Sequence, residues 1–426
     1  MYGHSKDEVF MEIKRDVYLG KIIRKQNNRL VKVITGIRRC GKSYLLFTQY
    51  KNYLLSTGVP VSHIIEMAFD AFSNEKYRDP EIFYPYVKSL ITDEGMYYIL
   101  LDEIQLLGKF EAVLNDLMRL PNVDLYVTGS NAKFLSKDVL TEFRGRGDEV
   151  YLAPLSFGEF MSAYDGNKYD GWNEYLLYGG LPPVVLLQSP EEKISFLKRL
   201  FEETYIKDVM GRNKLQHQSE LEDLIDFLAS SIGSLTNPSK LSDAFHSVKH
   251  VRISDKTIKK YLDSLCDAFL ISEAKRYDVK GKKYFGTPLK YYFTDLGLRN
   301  ARINFRQIEG THSMENVIYN ELVARDLNVD VGVVEVAEKN ADKLLKKQLE
   351  IDFVCNKGSS RYYVQSAYSV DGEEKMAQEI RPFLKTGDSF KKILIVKDTP
   401  APWHTEEGVL VLSIYDFLLN RNSLDL

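Results

Sequence analysis

Residues 31–46 read VKVITGIRRCGKSYLL, and the folding of this stretch decides the reading of the chain. Val31, Val33 and Ile34 form the β-branched run of a buried strand, and Leu45, Leu46, Tyr50, Tyr53 and Leu54 follow at near-helical spacing. Gly36 and Gly41 therefore sit at a strand-to-helix turn. Glycines there let the backbone curl with its N–H groups inward, at the positive end of the next helix, which suits a chain of phosphates. Lys42 then reaches the outer phosphates, and Ser43 offers a hydroxyl to Mg2+. Gly36, Arg39, Cys40, Gly41, Lys42, Ser43 and Tyr44 are the candidate nucleotide-binding set, with ATP and Mg2+ as the expected ligands.

A triphosphate site needs a second apolar strand that ends in an acid. Residues 96–107, MYYILLDEIQLL, supply it: Asp102 is placed to hold Mg2+ and Glu103 to polarise the attacking water as a general base. The same Asp-Glu pair also fits a solvated helix start. A third strand, Val123 to Val127, runs into Thr128-Gly129-Ser130-Asn131. Asn131 is the first candidate to orient the lytic water and feel the γ-phosphate, ahead of Ser130 and Thr128; it is equally suited to cap the helix that follows. Arg144 and Arg146 lie in a glycine-flanked segment before a fifth strand, Glu149 to Leu152. They are candidates to stabilise charge on the phosphoryl group, in cis or from a neighbouring subunit, or else belong to a charged surface loop.

Five motifs in order, TGIRRCGKS, LDEIQ, TGSNAKFLS, FRGRG and PLSFGEF, followed by YGGLPPVV, span residues 31–186. Together they resemble the prokaryotic family of AAA-type P-loop ATPases of the ASCE class. The resemblance implies an α/β core with a parallel sheet in the order 5-1-4-3-2 and hydrolysis involving Glu103. It leaves open what the hydrolysis serves.

The chain has 426 residues, a formal net charge of -3, 44% hydrophobic and 27% charged residues. Such a composition is that of an ordinary soluble protein of two to four domains. Nucleic-acid binding would need a local basic face, because the whole-chain charge does not attract a polyanion. The cysteines, Cys40, Cys266 and Cys355, are far apart and show no zinc spacing, so a reducing cytoplasm is the expected location. No apolar run suggests a leader or a membrane span.

The expected organisation is an ATPase core over 1–155, a helical lid or linker over 156–212, a winged-helix region over 213–300 and a nuclease-like domain over 301–426. Asn237-Pro238 signals a helix start. In the helix after Ser254, Ile258, Tyr261, Leu262 and Leu265 form a core stripe that leaves Lys256, Lys259 and Lys260 outside. From Asp255 to Lys290 there are nine basic residues (Lys256, Lys259, Lys260, Lys275, Arg276, Lys280, Lys282, Lys283, Lys290) against five acids. That surplus on a recognition helix and wing suits duplex DNA, although such modules also serve as packing elements. His246 and His250 stand four apart without further ligands.

From Ser313 the order of elements is similar to the restriction-endonuclease-like fold known as PD-(D/E)XK. That resemblance implies a metal-binding acid at Asp352 and an auxiliary one at Glu315, unless both are surface carboxylates. Gln365-Ser366-Ala367 stands where the fold has Glu-x-Lys, so nuclease chemistry is not expected and the domain reads as degenerate. The expected function is Mg-dependent ATP hydrolysis that repositions the C-terminal regions on DNA. Its alternatives are a nucleotide-gated scaffold for another protein and an ATP-dependent nuclease; a homo-oligomer is compatible with each, a membrane with none.

Overall fold

The computed structural model describes residues 12–129, 147–206, 209–211, 218–249, 253–306, 308–340 and 343–426. They form two compact units, the first comprising Met1–Leu155 with Glu159–Asn167 and the second Ser156–Gly158 with Lys168–Leu426. The expected border at 300 falls inside the second.

The first unit is built on five parallel strands, β1 (Val31–Thr35), β2 (Ile64–Ala68), β3 (Tyr97–Asp102), β4 (Val123–Thr128) and β5 (Gly147–Tyr151). Their order is β2-β3-β4-β1-β5, which is 5-1-4-3-2 read from the other edge. Every residue of β1 and β3 is buried, as both faces of a covered parallel sheet require. Val33, Ile99, Leu101 and Val127 meet Phe83, Phe110 and Leu114 in the core of this unit. Lys32 is also fully buried, paired with Asp124; the Tyr126 hydroxyl donates to the same carboxylate at 2.6 Å. An ion pair at the sheet's centre survives burial because its remaining lone pairs are bonded.

The second unit carries a nine-stranded mixed sheet. It comprises β6 (Leu235–Thr236), β7 (Ile271–Asp278), β8 (Lys283–Phe293), β9 (Asn328–Asn340), β10 (Lys343–Lys357), β11 (Ser360–Ala367), β12 (Lys391–Val396), β13 (Trp403–His404) and β14 (Leu410–Ser413). The order is β13-β14-β12-β11-β10-β9-β7-β8-β6. The hairpin of the expected wing, β7–β8, thus continues the C-terminal sheet, with Tyr277 of β7 paired in parallel to Gly332 of β9. Helices Pro238–Lys249 and Asp255–Asp267 precede it. Ser254 caps the latter by accepting from the Thr257 N–H at 3.1 Å. Ile258, Tyr261, Leu262 and Leu265 are buried and Lys256, Lys259 and Lys260 exposed. The turn YGGLPP is clasped by the helix Leu296–Arg302: Gly180 N–H donates to Asp295 at 2.8 Å, and a Cβ on Gly297 would lie 2.0 Å from the Tyr178 carbonyl.

Among the described residues, no helix is long and apolar enough to cross a membrane.

Candidate functional site

The turn after β1 is fixed by sterics before any ligand is considered. A Cβ on Gly36 would lie 2.2 Å from the Leu152 carbonyl oxygen, and the backbone there has φ +141°. Gly41, at φ 100°, occupies the left-handed region where side chains are strained. It opens a helix running Lys42–Tyr44, Leu45–Tyr50 as a π-helical turn, then Lys51–Ser56.

Within the turn, Lys42 is buried and its Nζ donates to the carbonyls of Gly36 at 2.9 Å and Ile37 at 3.1 Å. The ammonium therefore lies inside the loop. Ser43 Oγ donates to Asp102 Oδ2 at 2.7 Å, and Thr128 Oγ1 donates to the other oxygen of the same carboxylate. The Thr128 hydroxyl accepts from the Glu103 N–H at 3.2 Å, so β1, β3 and β4 are tied together at their carboxyl ends. Burial pushes the Asp102 carboxyl above its ordinary pKa, against the hydrogen bonds from Thr128 and Ser43.

Glu103 stands next to Asp102 in the left-handed region, at φ 50°, with the Gln105 amide donating to its carboxylate. Cys40 is buried with its thiol against Gly36, Arg39 is exposed at φ 68°, and Tyr44 is exposed. The remaining catalytic candidates, Asn131, Arg144 and Arg146, with Ser130, lie outside the described residues, as does His250.

Sequence reasoning missed Arg15. Its guanidinium is buried, donates to the Cys40 carbonyl at 3.1 Å and the Ala153 carbonyl at 2.7 Å, and pairs with Glu159 at 3.0 Å. It fastens the phosphate-binding turn from behind. No local pattern marks this role, because all of its partners are distant in sequence.

A hydroxyl and a carboxylate held 2.7 Å apart are oxygen donors of the kind Mg2+ takes, with phosphate and water filling its remaining positions. The donor set fits that metal.

Two acids and two bases of the second unit lie elsewhere than expected. Asp352 and Glu315 are not surface carboxylates: both are buried. Lys290 and Arg276, counted above toward an exposed basic face, are buried as well. Lys290 Nζ, from β8, lies 2.9 Å from Glu315 and 2.8 Å from Glu350. The Tyr292 hydroxyl donates to Glu315 at 2.6 Å. Asp352 accepts from the Ser366 N–H at 2.8 Å, and its own N–H donates to the Gln365 side chain at 3.2 Å. Burial, then the charge of Glu315, pushes the Asp352 carboxyl well above its usual range. Burial opposes the charge on Lys290, but Glu315, Asp352 and Glu350 together raise its pKa. Among the described residues, no group of three or more His, Cys, Asp or Glu side chains is arranged to hold a metal ion.

The chain has known relatives along most of its length. Residues 28–161 match the family described as an AAA domain, and residues 169–309 match a domain of unknown function. A protein of Haemophilus influenzae, described as uncharacterized, is 34% identical over 414 residues, covering 96% of this chain and 98% of its own length. A second relative, from Methanocaldococcus jannaschii, is 26% identical over 392 residues, covering 88% of this chain and 81% of its own. Among solved structures, the Walker-type ATPase of Pyrococcus abyssi aligns with a TM-score of 0.49 at 14% identity, over 68% of this chain and 96% of that one. With 34% identity along nearly its whole length, the chain belongs to the same family as the Haemophilus influenzae protein, and with an AAA domain at its N-terminus it is an ATPase of the P-loop kind.

Proposed function

We propose that the chain couples Mg-dependent ATP hydrolysis in the first unit to repositioning of the second unit on DNA. The observation that carries the nucleotide site is the 2.7 Å contact between Ser43 and Asp102, which joins the phosphate-binding turn to the acid-bearing strand. In this reading Gly36, Arg39, Cys40, Gly41 and Tyr44 line the phosphate cradle, chiefly with backbone N–H groups, and Lys42 turns from its own loop carbonyls toward the β- and γ-phosphates. Ser43 and Asp102 hold Mg2+, whose positive charge, when bound, offsets the charge developing on the phosphates. Glu103 takes the proton of the attacking water, Asn131 orients that water, and Arg144 or Arg146 stabilises the transferring group.

The DNA part of the reading rests on the exposed row Lys256, Lys259 and Lys260, on a helix followed by a hairpin in the manner of a winged helix. The C-terminal strands favour a holding role over cleavage, because an ammonium already occupies the space between Glu315 and Glu350. ATP turnover by the wild type, Lys42→Ala and Glu103→Gln, each with and without duplex DNA, tests both parts. The proposal expects wild-type turnover that DNA accelerates and that both variants lose. Turnover indifferent to DNA would replace the DNA partner by a protein, and full activity of Lys42→Ala would overturn the nucleotide site.

A further inference from the structure

A cleft of about 630 Å3 opens in the second unit between the β7–β8 turn, the β10–β11 turn and the loop entering β12. Tyr277, Lys280, Lys282, Arg361, Asp388 and Phe390 are among the residues that line it. Lys280 and Lys282 are exposed on the hairpin tip. Arg361 is held in place: its guanidinium carbon lies 5.5 Å from the Tyr277 ring centre and 5.1 Å from that of Phe390, and its Nε donates to Asn356 at 2.8 Å. Phe390 remains 41% exposed despite its size.

Asp388, the acid among those six, is turned into its own loop. Its carboxylate accepts from the Tyr363 hydroxyl at 2.6 Å and the Phe390 N–H at 3.3 Å, and lies 3.8 Å from Lys392. Three cations thus share a cleft with one acid whose oxygens are already engaged, and the exposed Lys280 ammonium is held at the rim by the Glu335 carbonyl at 3.2 Å. The cleft's volume lies in the range that encloses a small molecule or one to two nucleotides. A duplex keeps its bases stacked inside and cannot lay one on Phe390 without extruding it. A single strand presents phosphates and unstacked bases together, the two features that cations beside an aromatic face recognise.

We propose that this cleft binds one strand of nucleic acid, with Lys280 and Lys282 on successive phosphates and a base against Arg361 and Phe390. This rests on the nucleic-acid part of the function proposed above, and places a single strand under the hairpin, apart from the duplex on the lysines of the Asp255–Asp267 helix.

The test is fluorescence anisotropy of the full chain with a labelled oligothymidylate of about 15 nucleotides, titrated over a range of salt. Lys280→Glu/Lys282→Glu, whose folding is checked by thermal unfolding, is expected to weaken binding by about tenfold or more. Its salt dependence should flatten by about 1.4 in log–log slope, since each phosphate that a lysine neutralises on a single strand accounts for about 0.7. Lys280→Arg/Lys282→Arg should retain binding. Wild-type affinity in the folded double Glu variant would overturn the cleft. Loss of DNA binding and of DNA-stimulated turnover only in Lys256→Glu/Lys259→Glu/Lys260→Glu would overturn it too, while leaving the DNA reading intact. Failure of the wild type to bind either strand or duplex, with turnover blind to both, would remove the two proposals together.

Discussion

Asp102 and Asp352 are both buried strand carboxylates, but their surroundings differ in kind. Asp102 is held by the side-chain hydroxyls of Ser43 and Thr128, groups that can re-aim by rotating about one bond. Asp352 is held by the Ser366 backbone N–H and shares its field with Lys290, an ammonium fixed between Glu315 and Glu350. The first arrangement can exchange a hydroxyl contact for a metal contact at little cost. The second has its cation built in, and an incoming ion would have to displace a salt-bridged side chain. Burial alone therefore does not mark an acid that can take up a metal; the mobility of its partners bears on it as well.

The largest effect that separates the two centres is on turnover. Glu103→Gln is expected to lower ATP hydrolysis by about 10²–10⁴-fold, the usual worth of a positioned general base, and Lys42→Ala to lower it at least as far. Asp352→Asn should leave turnover within about twofold, since the proposed function gives the second centre no part in ATP hydrolysis. Steady-state phosphate release measures all three. A collapse of turnover in folded Asp352→Asn would break the contrast.

On stability the ranking reverses. Lys290→Met removes the cation from a buried cluster and leaves Glu315 and Glu350 facing each other, which costs about 3–5 kcal/mol when a buried pair loses one partner. Adding Glu315→Gln to Lys290→Met should recover part of that loss, because the stranded charge goes with it. Urea unfolding monitored by tryptophan fluorescence reads both, Trp172 being buried in the same unit. A neutral Lys290→Met would mean that the cluster is solvated and open, and would restore the case for an exchangeable ion there.

The first centre was legible in sequence because its parts are local. Two glycines, a lysine and a serine lie within eight residues, and Asp102 and Glu103 end an apolar run; each motif fixes its own position in a strand-turn-helix, and parallel strands align their carboxyl ends. The second was not. Lys290 reads as one more base of a wing, and its neutralising acids arrive from residues 315 and 350 only after β8 joins the sheet that carries β10. Arg15 is hidden for the same reason, since its partners at Cys40, Ala153 and Glu159 are brought together by the tertiary fold. The strand order of the first unit was legible only through family resemblance, and the continuity of β7 with β9 from nothing in the local pattern.

A third buried carboxylate calibrates the pH behaviour of the other two. Burial pushes Asp295 up to about 6, against the N–H donors of Gly180, Leu298, Gly297 and Leu181. A raised folded-state pKa gives stability that is fully present below the unfolded value of about 3.9 and is lost as pH rises through about 6. The loss over that window is on the order of 2–3 kcal/mol. Asp295→Asn should flatten that part of the stability profile between about pH 4 and 6, measured by urea unfolding at constant ionic strength. An unchanged slope would show that the helix clasp tolerates the charge without cost.

The same sign governs Asp102, where burial outweighs the hydrogen bonds from Thr128 and Ser43. Its contribution to stability is present below the unfolded carboxylate pKa and lost as pH rises through its raised folded value, so Asp102→Asn should make the nucleotide-free chain slightly more stable at neutral pH. The gain should reverse on adding Mg2+ and a non-hydrolysable ATP analogue. Ligand that binds only the folded state raises stability by about 2.7 kcal/mol at a hundred times its Kd, and the variant forfeits the metal's share. Thermal unfolding with and without Mg-nucleotide reads both signs. Equal stabilisation of wild type and Asp102→Asn by Mg-nucleotide would show that the carboxylate is structural, and would erase the distinction between an exchangeable acid at β3 and a locked one at β10.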